Sequence, residues 1–297
     1  MAKDLKKPLS YEEQLQMLKQ HYMKIEDDCF ALDILKRVNY YRLSGYALSF
    51  RRDDFPDLYE KGTSFNRIYH LFLFDEELRA MLLRFLLIIE GYLRTQISNC
   101  FSLLKCQQPP YDQHYYEDIY YRKDRFNDVF NSLIREKDHN SDSLVVKHHE
   151  KKYNGKMPLW VIVELLSFSN LSKYYNSMFF SDQEKIAKGV GTSAKVLSNH
   201  MHCLSVLRNK CAHGSRIYNI SFSPPAKLGA PYLRKYNDVR NDELFAYCRV
   251  IYLRLPTDED RTDFVSGLTN IIERFKNYIE LEAIGFPDDW NDVILGF

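Results

Sequence analysis

The residue types best suited to proton transfer at a phosphate stand close together in one segment, Arg208-Asn209-Lys210-Cys211-Ala212-His213-Gly214. Histidine, the residue type at position 213, is the side chain best suited to accept or donate a proton around neutral pH. The guanidinium of Arg208 offers a planar set of donors that matches the oxygens of a phosphate. This combination indicates proton transfer beside a bound phosphate.

The position of a helix end decides whether these two groups can act together. On a continuous helix, five residues correspond to a rotation of about 140° and a rise of about 7.5 Å, so the two side chains would diverge. Gly214 is the residue type expected just after a helix, where the backbone adopts a left-handed conformation. We therefore expect the helix to end near His213, which frees its side chain to turn toward Arg208.

Other catalytic signatures are missing from the sequence. The segment 189–195 (GVGTSAK) lacks the spacing of a phosphate-binding loop, and neither a GxSxG nor an HExxH motif occurs. His200 falls on an apolar helical stripe and is predicted to be a packed core histidine. The six cysteines form no CxxC pair, which disfavours a structural zinc site and indicates reduced thiols. We predict neither a metal nor a cofactor.

Composition narrows the fold class. The 297 residues contain only 11 glycines and 10 prolines but 22 tyrosines and 19 phenylalanines, which argues against glycine-rich dinucleotide folds and hairpin-rich β proteins. No apolar stretch follows the first ten residues as a signal peptide would require, and the most apolar run, 81–93, is too short to span a bilayer. These features predict an all-α protein in the cytoplasm, with no membrane partner.

Hydrophobic periodicity and capping residues divide the chain into helices. We predict a helical N-terminal subdomain over residues 1–60 and a larger helical domain over residues 61–297. Within the larger domain, residues 64–105 are predicted to form one long helix or two nearly collinear helices. Pro158 begins a helix that carries Leu159, Val163, Leu166 and Leu171 on one face. The remaining helices are predicted at 11–22, 29–38, 42–50, 126–136, 143–153, 182–188, 193–211, 242–255 and 258–281.

Charge is uneven along the chain although the total is only +1. Residues 200–241 contain seven bases and one acid, a balance of +6, whereas residues 256–297 contain three bases and ten acids, a balance of −7. A basic patch around the Arg208–His213 segment would suit a phosphate-rich ligand. The alternative is that the two segments neutralise each other in the fold.

The sequence Arg208–Asn219 (RNKCAHGSRIYN) resembles the R-N-x-x-A-H signature of HEPN ribonucleases. Three further stretches, at 38–50, 74–99 and 157–175, make the chain similar to the AbiD/AbiF-like abortive-infection family of bacterial anti-phage proteins. These four blocks, in this order, span most of residues 38–219. The tail after Asn219 matches only weakly.

The resemblance implies an HEPN-like helical bundle with additional N-terminal and C-terminal helices. It also implies a metal-independent endoribonuclease site built at the interface of a homodimer, with Arg208 and His213 as the catalytic pair and Asn209 as a supporting hydrogen-bonder. In that chemistry the RNA 2′-OH attacks its own adjacent phosphate, which leaves a 2′,3′-cyclic phosphate and a 5′-OH.

Several side chains are candidates for RNA binding or support of the site. Glu90 and Arg94 either face the Arg–His cleft or form an ordinary helix salt bridge. Arg216, Tyr218 and Asn219 either line the site or anchor the chain as it leaves the helix, and Lys210 adds a cation beside the pair. Outside this set, Trp160 is predicted to pack and Glu164 to be its buried polar partner. The tyrosines of 107–125 (Tyr111, Tyr115, Tyr116, Tyr120 and Tyr121) either fill the core or stack on unpaired bases.

Three functions are compatible with these residues. The first is an RNA-cleaving toxin or phage-defence effector that acts as a homodimer, with an RNA or a protein as a possible antitoxin. The second is a non-catalytic module for RNA binding or dimerisation, and the third is a protein-binding regulator. The N-terminal helices could resemble a small helix-turn-helix, but their nearly balanced charge favours a structural role.

Overall fold

The computed structural model describes residues 7–111 and 117–296 and is all-α, as the sequence predicts. In these residues the only β pairing consists of isolated bridges. The α-helices are α1 Tyr11–Gln20, α2 Asp28–Arg37, α3 Tyr40–Ser44, α4 Phe65–Lys105, α5 Phe126–His139, α6 Leu144–Tyr153, α7 Leu159–Ile162, α8 Phe168–Ser177, α9 Phe180–Gly189, α10 Ala194–Ala212, α11 Ala230–Lys235, α12 Leu244–Arg254, α13 Asp258–Phe275 and α14 Trp290–Leu295.

Helix α4 is the central element of the fold. Its 41 residues correspond to about 60 Å at 1.5 Å per residue. They follow the capping residue Ser64, whose hydroxyl accepts a hydrogen bond from the Arg67 N–H. No proline interrupts it, and apolar residues at steps of three and four face the core. Helices α9, α10, α12 and α13 all pack against it. The long helix predicted from periodicity is confirmed.

Helix α10 carries the Arg208–His213 segment and packs against α4, α8, α9 and α12. Its buried face includes His200, which is 1% exposed and donates from Nε2 to the Lys227 carbonyl at 2.9 Å. The prediction of a packed core histidine is confirmed. Burial lowers its pKa to about 4, so the ring is neutral at pH 7.

The prediction of one continuous helix after Pro158 is wrong. Helix α7 is followed by a short 3₁₀ helix, Val163–Leu165, and then by a break at Leu166. The break arises because Ser167 caps a new helix, accepting a hydrogen bond from the Asn170 N–H at 3.3 Å. With so short a helix, only Leu159 and Ile162 of α7 face the core. Trp160, predicted to pack, is therefore 49% exposed.

The C-terminal region also differs from its prediction. Helix α13 ends at Phe275, six residues before the predicted end, and is followed by a 3₁₀ helix, Glu282–Ile284, and by α14. The short helix α11 lies between the predicted helices 193–211 and 242–255, where no helix is predicted. In the described part of the chain, no helix combines the length and the apolar composition that crossing a lipid bilayer requires.

The hydrophobic core is one continuous cluster that takes residues from α1–α3 as well as from the later helices. A capping box formed by Ser10 and Glu13 begins α1. The division of the chain at residue 60 stays a prediction.

Candidate functional site

The end of α10 has the geometry that the sequence predicts. His213 is the residue that follows the last helical turn, and Gly214 has a left-handed backbone with φ +63°. The Ser215 N–H donates to the Lys210 carbonyl at 2.9 Å and the Gly214 N–H donates to the Cys211 carbonyl at 3.2 Å. This is the Schellman arrangement, which satisfies the last carbonyls of the helix. It leaves the side chain of His213 exposed.

Arg208 lies one and a half turns earlier and faces α4. Its Nε is 3.4 Å from Oε2 of Glu90, a buried carboxylate whose other oxygen accepts from Arg94 at 2.8 Å. Arg94 also donates to the Leu166 carbonyl at 2.7 Å and lies 3.6 Å from Glu164. Glu90 therefore contacts Arg208 of the candidate pair directly, and Arg94 is linked to Arg208 through Glu90. The side chain of Glu164, predicted to be buried, is 58% exposed because α7 and the 3₁₀ turn after it are short.

Arg208 and His213 have different neighbours within one chain, so the expected turn of the His213 side chain toward Arg208 is wrong for a single chain. The Arg208 side chain is 27% exposed and directed at Glu90, whereas the His213 side chain lines a cleft on the side of the N-terminal helices. The rotation of about 140° between the two helix positions accounts for this separation. The ring of His213 is free to act at the cleft, while the charge of Arg208 is shared with a carboxylate.

Two other residues of the segment have local partners. The Asn209 side chain donates from Nδ2 to the Ser169 hydroxyl at 3.1 Å, which ties α10 to α8. Lys210 is half-buried, with its ammonium 5.9 Å from the centre of the Phe222 ring. Asn209 thus supports the helix that carries the pair.

The cleft beside His213 is open and about 960 Å³ in volume. It lies between the N-terminal helices and the chain that leaves α10. Four permanent cations line it, with one carboxylate, Asp57: the cations are Lys7, Arg42, Arg51 and Arg216. Tyr41, 83% exposed, presents its ring at the same cleft. The arrangement provides positive charge, an imidazole and an aromatic face in one place.

A buried polar network lies under this cleft, and the sequence analysis did not identify it. Asp75 on α4 forms an ion pair with Arg79, accepts from the Tyr46 hydroxyl at 2.6 Å, and accepts from the Ile217 N–H at 3.2 Å. Both members of the ion pair are buried. The Arg216 side chain donates to the Gly45 carbonyl. These bonds fasten the segment after His213 to α4 and α3.

The signal for this network was an acid and a base four residues apart on a helix. That spacing is common on solvated helix faces, so the pattern alone does not indicate burial. Asp75 and Arg79 fall among the apolar positions Phe74, Leu78 and Leu82, which is the feature that distinguishes them.

Tyr218 and Asn219 lie beyond the network. The Tyr218 ring is buried against Phe74, and its hydroxyl accepts from the Glu280 N–H at 3.1 Å. Asn219 is exposed, with a left-handed φ of +50°. The position of Tyr218 favours the anchoring interpretation over contact with RNA.

The tyrosines of residues 107–125 differ in how exposed they are. Tyr121 is buried and lies within 3.0 Å of the Tyr174 hydroxyl, Tyr120 is half-buried, and Tyr111 is 51% exposed. Tyr115 and Tyr116 lie outside the described residues. The core-filling interpretation therefore fits Tyr121 and not Tyr111.

Two arginines of the basic residues 200–241 form ion pairs. Arg208 pairs with Glu90, and Arg240 pairs with Asp242 and Glu243. None of these carboxylates belongs to the acidic residues 256–297. In residues 7–111 and 117–296, no three His, Cys, Asp or Glu side chains are grouped as ligands for a metal ion.

Comparison with known proteins identifies the family. Residues 33–219, well over half of the chain, match the model of the family described as Abi-like protein. No curated protein and no solved structure matches the chain. The chain therefore belongs to the Abi-like family of abortive-infection proteins.

Proposed function

Starting from this membership, we propose that the chain is a metal-independent endoribonuclease of the HEPN type in phage defence, with Arg208 and His213 as its catalytic pair. The observation that carries the proposal is the exposed imidazole of His213 at the capped end of α10, in a cleft lined by four permanent cations. Cations attract the phosphates of RNA, and an exposed imidazole can transfer protons near neutral pH.

The proposed reaction needs only groups of the protein and the RNA. His213 accepts the proton of the 2′-OH as that oxygen bonds to the adjacent phosphorus, and the bond from phosphorus to the 5′-oxygen breaks. A proton returned to the 5′-oxygen completes the products, a 2′,3′-cyclic phosphate and a 5′-OH. Arg208 stabilises the extra negative charge on the phosphate oxygens in the transition state.

A second copy of the chain would complete the site. Within one chain the guanidinium and the imidazole face different neighbours, so a composite site supplies what one chain lacks. The surface beside the pair suits a partner: Leu87, one turn before Glu90 on α4, is 49% exposed, and Ala80 and Ala212 are exposed as well. Packing α4 and α10 of two copies across these residues would place both pairs in one interface. AbiD/AbiF-type membership and the homodimer are parts of this proposal.

The test is cleavage of RNA by the purified protein in EDTA, with analysis of the ends. We expect the wild type to produce cyclic phosphate and 5′-OH ends, and His213→Ala and Arg208→Ala to lose at least about a hundredfold in rate, as is typical when a general base or an oxyanion donor is removed. His148→Ala, at an exposed histidine on α6, is the matched control and should cleave normally.

Equal cleavage by His213→Ala, or complete loss of activity in EDTA, would contradict the proposal. One observation favours a second function, RNA binding without cleavage, because Glu90 already neutralises part of the charge of Arg208. Salt-dependent RNA binding by a wild-type protein that produces no cyclic phosphate ends would support this function instead.

A further inference from the structure

A second basic cleft, about 680 Å³ in volume, lies between α5, α8 and α10. Its charged lining consists of the permanent cations Arg122, Arg125, Arg135 and Lys173, with His202 and a single carboxylate, Asp128. Amide side chains of Asn131, Asn170 and Asn176 line the same cleft. Neither the family match nor the proposed catalytic pair accounts for these residues.

The positive charge of this cleft is only partly compensated. Asp124 lies 3.1 Å from Arg122 and 3.4 Å from Arg125, so it offsets one of those two charges. Arg135 and Lys173, both exposed, have no carboxylate within ion-pair distance among the described residues. Exposed cations that lack a counter-charge are available to a ligand that carries several negative charges.

The cleft lies along the same helix face as the proposed catalytic histidine. His202 and His213 are eleven residues apart, which corresponds to a rotation of about 20° and a distance of about 16 Å along α10. Asn209 lies on this face between them and contacts Ser169 of α8. The face of α10 therefore leads from the second cleft to the cleft beside His213.

The geometry points to an extended RNA site: the cleft of Arg135, Lys173 and His202 holds the backbone of single-stranded RNA several nucleotides away from the phosphate at His213. At about 3.4 Å per stacked nucleotide, 16 Å corresponds to about five nucleotides. RNA fits better than an acidic peptide because one face of α10 links the two basic clefts, and the amide of Asn131 in the second cleft suits phosphate oxygens and base edges. The amides of Asn170 and Asn176 already donate to Glu136 and to the Ser172 carbonyl. The inference rests on the proposed function for the identity of the ligand.

The experiment measures the binding of one RNA and the cleavage of RNAs of two lengths. A fluorescein-labelled 12-nucleotide single strand is titrated into wild type, Arg135→Ala/Lys173→Ala, and the control Lys24→Ala/Lys276→Ala, whose lysines are exposed elsewhere. Binding is measured by anisotropy at several salt concentrations. Cleavage of the same strand and of a dinucleotide is measured in parallel.

We expect the cleft variant to bind the 12-mer at least tenfold more weakly than the wild type and the control. The slope of log affinity against log salt should fall by about 1.4, since each phosphate contact on a single strand contributes about 0.7. The KM for the 12-mer should rise with kcat unchanged, and dinucleotide cleavage should not change, because a dinucleotide is too short to reach the second cleft.

Unchanged affinity and salt slope in the cleft variant would overturn the inference. So would equal loss in the lysine control, which would indicate a general charge effect, or tighter binding of a polyglutamate peptide than of the 12-mer. The binding measurement does not depend on cleavage. Failure of the nuclease proposal would therefore appear as absent cyclic phosphate ends, while the cleft variant would still bind the 12-mer more weakly than the wild type.

Discussion

At the scale of single residues, the environment of Asp75 governs the position of the segment after His213. This carboxylate is fully buried and accepts hydrogen bonds from Arg79, from the Tyr46 hydroxyl and from the backbone of Ile217. Removing one member of a buried ion pair destabilises the folded protein, because the remaining charge then has neither its partner nor water around it. Asp75 is thus a positioning residue rather than a group that touches substrate.

Asp75→Asn should lower the free energy of unfolding by about 3–5 kcal/mol, since it removes the buried partner of Arg79 and leaves that guanidinium only Glu76, an exposed carboxylate 4.0 Å away. Chemical denaturation measures this loss. Asp33→Asn is a matched control: Asp33 also pairs with an arginine four residues later, but both partners are exposed, and the expected loss is below about 1 kcal/mol.

The double variant Asp75→Asn/Arg79→Met separates charge burial from packing. Removing both charges should recover more than half of the stability lost in Asp75→Asn. If the double variant is less stable than the single one, the ion pair is not the source of the loss and the explanation is wrong.

His200 should make stability depend on pH in a defined window. Its pKa is about 4 in the folded protein, against an ordinary value of 6.5, because burial disfavours the charged ring. Between pH 6.5 and pH 4 the unfolded chain takes up a proton that the folded chain does not, so this residue contributes a loss of about 3 kcal/mol as the pH falls.

His200→Gln, which retains a side-chain N–H for the Lys227 carbonyl, should flatten the pH dependence of the unfolding free energy between pH 6.5 and 4. Denaturation curves at several pH values measure this. A slope in the variant as steep as that of the wild type would assign the acid sensitivity to other groups.

At the scale of elements, the end of α10 determines where His213 stands. Gly214 has φ +63°, and a Cβ there would lie 3.0 Å from Nη2 of Arg42, which itself donates to the Gly214 carbonyl. Gly214→Ala should therefore destabilise the protein by about 1 kcal/mol or more and weaken RNA cleavage by displacing His213.

Gly189→Ala provides the comparison for this helix end. Gly189 is the last residue of α9, and a Cβ there meets no atom within 4 Å. The substitution should be neutral or stabilise by about 0.4–1 kcal/mol. Thermal unfolding of Gly214→Ala and Gly189→Ala measures both effects. Equal changes in stability would show that the left-handed backbone at position 214 does not require glycine.

The elements that the sequence predicts well are those with local signals. Helix α4 has a sustained apolar period, and the end of α10 is marked by its glycine, so both are confirmed. The break before α8 was missed because Ser167 interrupts a run that is otherwise apolar. Helix capping depends on a single hydroxyl, and hydrophobic periodicity does not register it.

The candidate site was predictable only in part, because much of it depends on distant contacts. The sequence identified Arg208, Asn209 and His213 from one short segment. The contact between Arg42 and Gly214 joins residues 172 positions apart, and the second cleft joins three helices. No local pattern encodes such contacts, which arise from how the helices pack around α4.

At the scale of the whole molecule, one feature separates the nuclease proposal from simple RNA binding: the requirement for two chains. A single chain presents His213 to its cleft but directs Arg208 at Glu90. Binding through the basic clefts needs no partner, whereas cleavage by a composite site does. Mutations that keep the chain monomeric should therefore abolish one activity and spare the other.

Leu87→Asp tests this requirement at the exposed face of α4. Leu87 is 49% exposed, so the carboxylate should leave the fold of one chain intact while repelling its symmetry-related copy in a dimer. We expect sedimentation to show a dimeric wild type and a monomeric variant, with cleavage lost and affinity for the 12-nucleotide strand within about twofold of wild type. Leu144→Asp, at a leucine 85% exposed on α6, should remain dimeric and active.

The combination of these measurements assigns the role of the second chain. Because a C2 interface uses the same patch on both copies, one substitution at Leu87 places two carboxylates in the interface, and its effect on assembly is doubled. A monomeric Leu87→Asp protein that still cleaves RNA would mean that Arg208 and His213 of one chain suffice. In that case Arg208 would have to leave Glu90 and rotate toward His213 when RNA binds.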